Sequence, residues 1–311
     1  MMTRLASRGL RRKRARMFQY DTTIDPAADN TSHGLLLSLV GADRRVLDLG
    51  CATGYLAEAL GANGCTVSGV EYVPEAAEKA RPFLEKLVVA DLNDFDLVAE
   101  FGAGTFDVLV FGDVLEHLLD PVSVLRSAVP LLAPGGSVVI SIPNVAHGSL
   151  RLALLQGRWR YTDTGLLDRT HIRFFTRRSL LELLASAGLA PVDVRRTTAD
   201  PLGVEVQIDA AELPAGVVEW LAGQPDADTY QFVVRAVVDD AESAVTQLAH
   251  RAADAEERLQ RAERERDTER EARLAAEHDV ETLRSTAGFR ALTVPRRWYA
   301  AARRATSRGR A

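Results

Sequence analysis

Between Arg44 and Pro143 the chain alternates short, almost wholly apolar runs with longer segments of helical spacing, and this alternation restricts its fold more tightly than any other feature. The runs are Val46–Leu49, Thr66–Val70, Leu87–Val89, Phe106–Phe111 and Val138–Ile142. Side chains alternate across a strand, so a strand that is apolar at nearly every position has both faces covered. Segments such as Tyr55-Leu56-Ala57-Glu58-Ala59-Leu60 lie between them. Repeated strand–helix units specify a parallel sheet with right-handed crossovers, a doubly wound α/β architecture.

After Pro143 the pattern breaks. Residues 144–175 hold no clear strand and contain Arg158-Trp159-Arg160-Tyr161 and Asp168-Arg169-Thr170-His171-Ile172-Arg173-Phe174-Phe175. A helix is expected to begin at the N-cap Thr176 and end at Gly188. Strands are predicted at Val192–Thr197 and Tyr230–Val238, with a helix around Val217–Leu221 between them. The alternation in the last run suits an antiparallel strand entering beside the sixth.

Charge divides the chain into an acidic body and two basic ends. Residues 1–16 carry seven Arg and Lys and no acid, and residues 284–311 carry eight Arg and no acid. With a net charge of −5 overall, residues 17–283 carry −20. Basic ends on an acidic body suggest contact with something anionic; solvated arms are the alternative. The expected organisation is a basic disordered arm at 1–16, a catalytic domain at 17–238, a helical segment at 239–285 and a basic aromatic tail at 286–311. With Val245 as position a, nine of twelve a and d sites from Val245 to Leu283 are apolar, which favours a coiled coil over a lone charged helix. The tail places Trp298 and Tyr299 among Arg296, Arg297, Arg303 and Arg304. That composition suits an anionic membrane surface or a partner enzyme, and nucleic acid less well because the body is acidic. Cys51 and Cys65 make neither a disulfide framework nor a zinc site, and no metal ligand set is expected. Without a spanning apolar stretch or a secretory pattern, the expected location is cytoplasmic, with the tail peripheral at the inner face of the membrane.

The sharpest motif is Val46-Leu47-Asp48-Leu49-Gly50-Cys51-Ala52-Thr53-Gly54-Tyr55. A buried strand delivers Asp48 to its carboxyl end, and a glycine turn leads into a helix. Gly50 and Gly54 let backbone approach a ligand where a Cβ would collide. The competing dinucleotide fingerprint needs G-x-G-x-x-G, whereas here the spacing is G-x-x-x-G with Ala52 between. Asp48 would repel a pyrophosphate but suits the cationic amino group of S-adenosylmethionine (SAM). Glu71, at the end of the second run, suits the two ribose hydroxyls, and Asp91, after the third, the adenine amino group.

The chain resembles the class I SAM-dependent methyltransferases at four places in order: Val46–Tyr55, Val67–Glu71, Phe106–Leu118 and Leu131-Leu132-Ala133-Pro134-Gly135-Gly136-Ser137. The resemblance implies a seven-stranded, mostly parallel, Rossmann-like sheet with an antiparallel seventh strand. It further implies a SAM site drawn from Tyr20, Asp48, Gly50, Cys51, Ala52, Thr53, Gly54, Glu71, Tyr72, Asp91, Leu92, Asp113 and Val114. Ala52 stands where many members have Gly, a departure of little cost if φ there is negative. A narrower resemblance covers Tyr20 to His33, Asp168–Thr176 and Ser285–Arg297. It is to methyltransferases that modify sugars and cell-surface polysaccharides, with coiled-coil-linked tails.

Methyl transfer from a sulfonium requires an aligned acceptor and, for a hydroxyl, removal of a proton. His171 is the first choice as base and His117 the second; the alternative is that each only fixes its loop by hydrogen bonds. Arg169 and Arg173 suit a phosphate or carboxylate on the acceptor, or a structural ion pair. Three readings follow. The first is O-methylation of a sugar or glycan, tethered to a glycan-assembly enzyme or a second copy by the coil. The second is methylation of another small molecule, such as a quinone precursor or natural product. The third is a SAM-binding scaffold acting through the coil.

Overall fold

A computed structural model of the chain describes residues 30–240 together with Arg266, Arg270 and Arg273. The arm, Tyr20, the heptad stretch apart from those three helical, exposed arginines, and the tail lie outside the described residues.

In chain order the elements are α1 (Ser32–Val40), β1 (Arg45–Leu49), α2 (Tyr55–Ala62), β2 (Thr66–Glu71), α3 (Pro74–Ala80) and β3 (Lys86–Val89). They continue with α4 (Leu97–Phe101), β4 (Phe106–Gly112), α5 (Pro121–Ala128), β5 (Leu132–Pro143) and α6 (Gly148–Leu155). The last are α7 (Arg177–Ser186), β6 (Leu189–Thr198), α8 (Val217–Ala222) and β7 (Thr229–Val238). Every expected strand is present, β5 being longer than its apolar run because it takes in Pro134-Gly135-Gly136.

The sheet order is β3-β2-β1-β4-β5-β7-β6. β1 to β5 run parallel, and β7 pairs antiparallel with both β5 and β6. The seventh strand therefore stands beside the sixth, as its alternation suggests, and separates it from β5. Successive residues divide the core. Val46, Val108, Val110, Val139 and Val233 pack with Leu36 and Leu37 of α1 and Leu56 and Leu60 of α2. Their neighbours Leu47, Leu49, Leu109, Phe111, Ile140, Phe232 and Val234 pack with Leu125 of α5 and Leu183 and Leu184 of α7. Each fully buried Leu contributes roughly 1.5–3 kcal/mol, so burial on both faces makes the central strands the rigid base of the site.

Caps set the helix ends. Thr176 accepts from Ser179 N and closes a capping box on α7, and Asp120 and Asp96 cap α5 and α4 by accepting from Ser123 N and Ala99 N. Within 144–175 the structure has a helix, α6, that the sequence does not announce: its N-cap is His147, whose ring accepts from Ser149 N. The rest of that segment is irregular, tied by single bridges between Asn144 and Phe175 and between Thr162 and Asp168. No helix among the described residues is long and apolar enough to cross a membrane.

Candidate functional site

Strand order reverses between β1 and β4, and ligands of open α/β sheets bind at the carboxyl ends of the strands flanking such a point. Two loops meet there: residues 50–54 after β1 and 113–118 after β4. The amides of Gly50 and Cys51 both donate to Val70 O, at 2.8 and 3.1 Å, and Gly54 N donates to Cys51 O at 2.9 Å. These bonds fold the turn back over β2. Gly50 has φ +87°, and a Cβ there would stand 2.6 Å from Val114 Cγ2. Gly54 has φ +85°, and a Cβ there would meet Ala80 Cα at 2.7 Å. Both glycines are thus demanded by conformation and by space.

Ala52 has φ +47°. The condition under which alanine costs little here, a negative φ, is therefore not met: Ala52 occupies the left-handed region that favours glycine, at a cost of roughly 1–2 kcal/mol. Its amide explains why the turn holds. Glu71 Oε2 accepts from Ala52 N and Glu71 Oε1 from Val73 N, both at 2.8 Å. Asp113, on the opposite loop, is also left-handed at φ +56°. Its Oδ1 accepts from Ser141 Oγ and Gln231 Nε2, each at 2.9 Å.

Asp48 is 2% exposed. Burial, with the charge of Glu71 nearby, pushes its carboxyl up to about 7. Glu71 is raised as well, by burial, against the opposing pull of its backbone donors. Two buried carboxyls side by side, behind a turn with no room for a Cβ, fit a ligand that carries positive charge and hydroxyls. SAM has both. Asp48 would hold its ammonium group, Glu71 its ribose hydroxyls, and Gly50 and Gly54 leave the backbone bare for it. Bound there, SAM supplies an electrophilic methyl group with a neutral thioether as leaving group.

Past β4, a short 3₁₀ turn at Leu115–His117 carries Glu116. Glu116 is 1% exposed, and neither carboxyl oxygen has a hydrogen-bond partner. Burial, followed by the charge of Asp113, holds its carboxyl well above the usual carboxylate range. Its backbone oxygen accepts from Ile172 N and Arg173 N, at 2.9 and 3.0 Å, and so pins the 168–175 segment onto the turn. That brings His171 beside His117, with ring centroids 4.9 Å apart, and places His171 Nε2 3.9 Å from Glu116 Oε1. His171 Nδ1 faces Leu166 O at 3.3 Å, and His117 Nδ1 faces Thr170 O at 3.2 Å. Burial, and then the neighbouring His117, lower the pKa of His171. A neutral imidazole is the form that accepts a proton. Ligand atoms of Glu116, His117 and His171 also lie within 4.8 Å of one another, a donor set that could hold a zinc-like divalent ion.

A family model described as a methyltransferase domain matches residues 2–194. The chain belongs to this methyltransferase-domain family. Relatives agree: a ubiquinone biosynthesis O-methyltransferase of Cereibacter sphaeroides is 31% identical over 178 residues, 56% of this chain and 71% of that one. The Vibrio parahaemolyticus protein of the same name is 43% identical over 165 residues, 51% of this chain and 69% of that one. Among solved structures, Burkholderia thailandensis 1,6-didemethyltoxoflavin-N1-methyltransferase with bound S-adenosylhomocysteine covers 70% of this chain and 80% of its own, at 23% identity and a TM-score of 0.45. The assignment rests on the family model and the curated relatives. The enzyme is a SAM-dependent methyltransferase.

Other expected site residues of this methyltransferase are placed as follows. Cys51 and Thr53 are buried in the turn, and burial pushes the Cys51 thiol up. Val114 lies over Gly50. Tyr72 is 63% exposed beyond Glu71. Asp91 is exposed and its Oδ1 accepts from both nitrogens of Asn93, at 2.9 and 2.7 Å, while Leu92 belongs to the core. Arg173 is turned to Leu119 O and Arg169 to Asp163, the local pairing that the sequence leaves open. Sequence reasoning gave Glu116 no role; the only local signal is its place between the apolar pairs Val114-Leu115 and Leu118-Leu119. It also gave none to His33, whose ring meets Tyr55 at 5.1 Å and whose pKa is lowered by burial against the charge of Asp113.

Proposed function

We propose that the enzyme is an O-methyltransferase acting on a hydroxyl of a small ring-bearing molecule, of the quinone-precursor kind rather than a glycan. The observation that carries this is the Glu116–His117–His171 cluster, with Glu116 and His171 buried and His117 half-buried, at the loop that follows β4 beside the glycine turn. A hydroxyl oxygen attacks the methyl group in line and must lose its proton, and in this reading neutral His171 takes it. The Leu166 carbonyl faces Nδ1 of that imidazole, and Glu116 Oε1 lies 3.9 Å from its Nε2. Burial and His117 lower the pKa of His171 against the smaller opposing pull of Asp168, the Leu166 carbonyl and Asp113. The names of the relatives support hydroxyl chemistry and a quinone precursor.

Incubation of the full-length protein with methyl-labelled SAM and two acceptor panels, catechols with hydroxybenzoates and sugars with glycans, tests the reading. Label on the first panel alone is expected. Label on sugars alone would replace it with the polysaccharide reading, and SAM binding without transfer to any acceptor would favour a scaffold. The heptad stretch and the basic aromatic tail support two further proposals: self-association, or docking on a partner enzyme, through 239–285, and peripheral membrane contact through 286–311. Vesicle flotation with and without the tail checks the latter, and equal behaviour would reject it.

A further inference from the structure

Beside the histidine pair, the segment after β5 opens into a cleft that neither the SAM contacts nor the proton transfer uses. It encloses about 580 Å3 between Ala153–Arg169 on one side and Glu205–Gln207 on the other, within the ~300–1,000 Å3 that houses small ligands. Its walls do not resemble the core. Trp159 and Tyr161 keep 39% and 48% of their surface exposed, and aromatic faces left wet at a pocket wall are suited to stacking on a ring. Three guanidinium groups, those of Arg158, Arg160 and Arg169, share the lining. Arg158 is paired with Glu212 at 2.8 Å and Arg169 with Asp163 at 2.7 Å. Arg160 donates instead to the neutral amide oxygen of Gln207 at 2.9 Å and forms no ion pair among the described residues. Of the two acids in the wall, Asp163 is the partner of Arg169, and Glu205 is turned to its own neighbours: its Oε1 accepts from Leu166 N at 2.8 Å and from Tyr230 Oη at 2.9 Å.

One aromatic ring, that of Phe174, links the cleft wall to His171. Trp159 meets Phe174 with centroids 5.6 Å apart, and Phe174 meets His171 at 6.4 Å, so the Trp159 ring lies within 12.0 Å of the His171 ring. A fork of donors with uncompensated charge matches carboxylate and phosphate geometry. The stacking surface and the charge occur together in one cleft.

The geometry points to this cleft as the second half of the acceptor site, holding an anionic group, carboxylate or phosphate, carried by the hydroxylated ring that His171 deprotonates. It rests on the methyl-transfer reading and adds the substrate class: a hydroxylated ring with an anionic substituent. Arg160 binds the anion and Trp159 stacks on the ring.

Tryptophan fluorescence of the full-length protein tests it, with 3,4-dihydroxybenzoate and glucose 1-phosphate as anionic probes and catechol and glucose as their uncharged counterparts. At least one anionic probe is expected to quench saturably and to bind about tenfold more tightly than its counterpart. Arg160→Gln should remove that advantage and Trp159→Phe the quench, with SAM binding by calorimetry unchanged in both variants. A response to the benzoate alone identifies an aromatic acid as the source of the anion, and one to the sugar phosphate alone a phosphorylated sugar. The assignment is overturned if neither anion outbinds its counterpart, or if Arg160→Gln leaves the anion's affinity intact. Loss of SAM binding in the unaltered protein would instead overturn the methyl-transfer reading.

Discussion

The two sides of the site are built differently. The SAM side uses backbone: a left-handed turn over Val70 O, an amide held by Glu71, and carboxyls buried at strand ends. Its partners are close in sequence, since Ala52 and Glu71 are 19 residues apart. The proposed acceptor side uses side chains gathered over distance, His117 meeting Thr170 across 53 residues. A site made of backbone geometry announces itself through obligatory glycines and acids at fixed spacing. A site made of converging side chains depends on how the irregular segment 144–175 lies over the sheet, and no short-range pattern encodes that.

The contrast predicts that the two sides fail separately. His171→Ala should lower turnover at least ~100-fold while SAM affinity holds; steady-state kinetics beside calorimetry checks both, and near-normal turnover would remove His171 as the base. Gly50→Ala should do the reverse. A left-handed alanine pressed on Val114 costs about 2 kcal/mol, read as a ~30-fold loss of SAM affinity, with what activity remains at saturating SAM keeping its dependence on acceptor concentration.

A smaller effect follows from Asp48, which ionises in the folded domain near about 7. Its carboxylate is needed to hold a cation, so SAM affinity should be full above that value and fall about tenfold for each pH unit below it. The ligand-free domain should show the opposite sign. The proton that Asp48 retains is worth most at low pH, and this contribution to thermal stability is lost as pH rises from ~4 toward about 7. A pH series of binding heats and melting curves gives both; parallel trends would show that Asp48 does not face the ligand. The smallest effect is expected from Ala52→Gly, which relieves the left-handed alanine and should raise stability by about 1 kcal/mol or less. An unchanged melting temperature would mean that the added freedom of the unfolded chain cancels the relief.

This difference also explains what could be read in advance. The seven strands, the antiparallel last strand and the Asp48–Gly54 turn follow from apolar periodicity and glycine spacing, both local properties. The sign of φ at Ala52 does not, because it is imposed by the bond from its amide to Glu71 on the neighbouring strand. Helix α6 escaped notice because its N-cap is a histidine rather than a residue that marks helix starts. Glu116 was visible as a letter but not as a member of the cluster: only the clamp of its backbone oxygen on residues 172 and 173 brings His171 to it.

The central claim is that buried carboxyls behind a glycine turn receive a positively charged sulfonium nucleoside. Titration calorimetry of the full-length protein with SAM and, separately, with NAD tests it most directly. The account predicts saturable heat with SAM and none with NAD. Heat with NAD and none with SAM would contradict it.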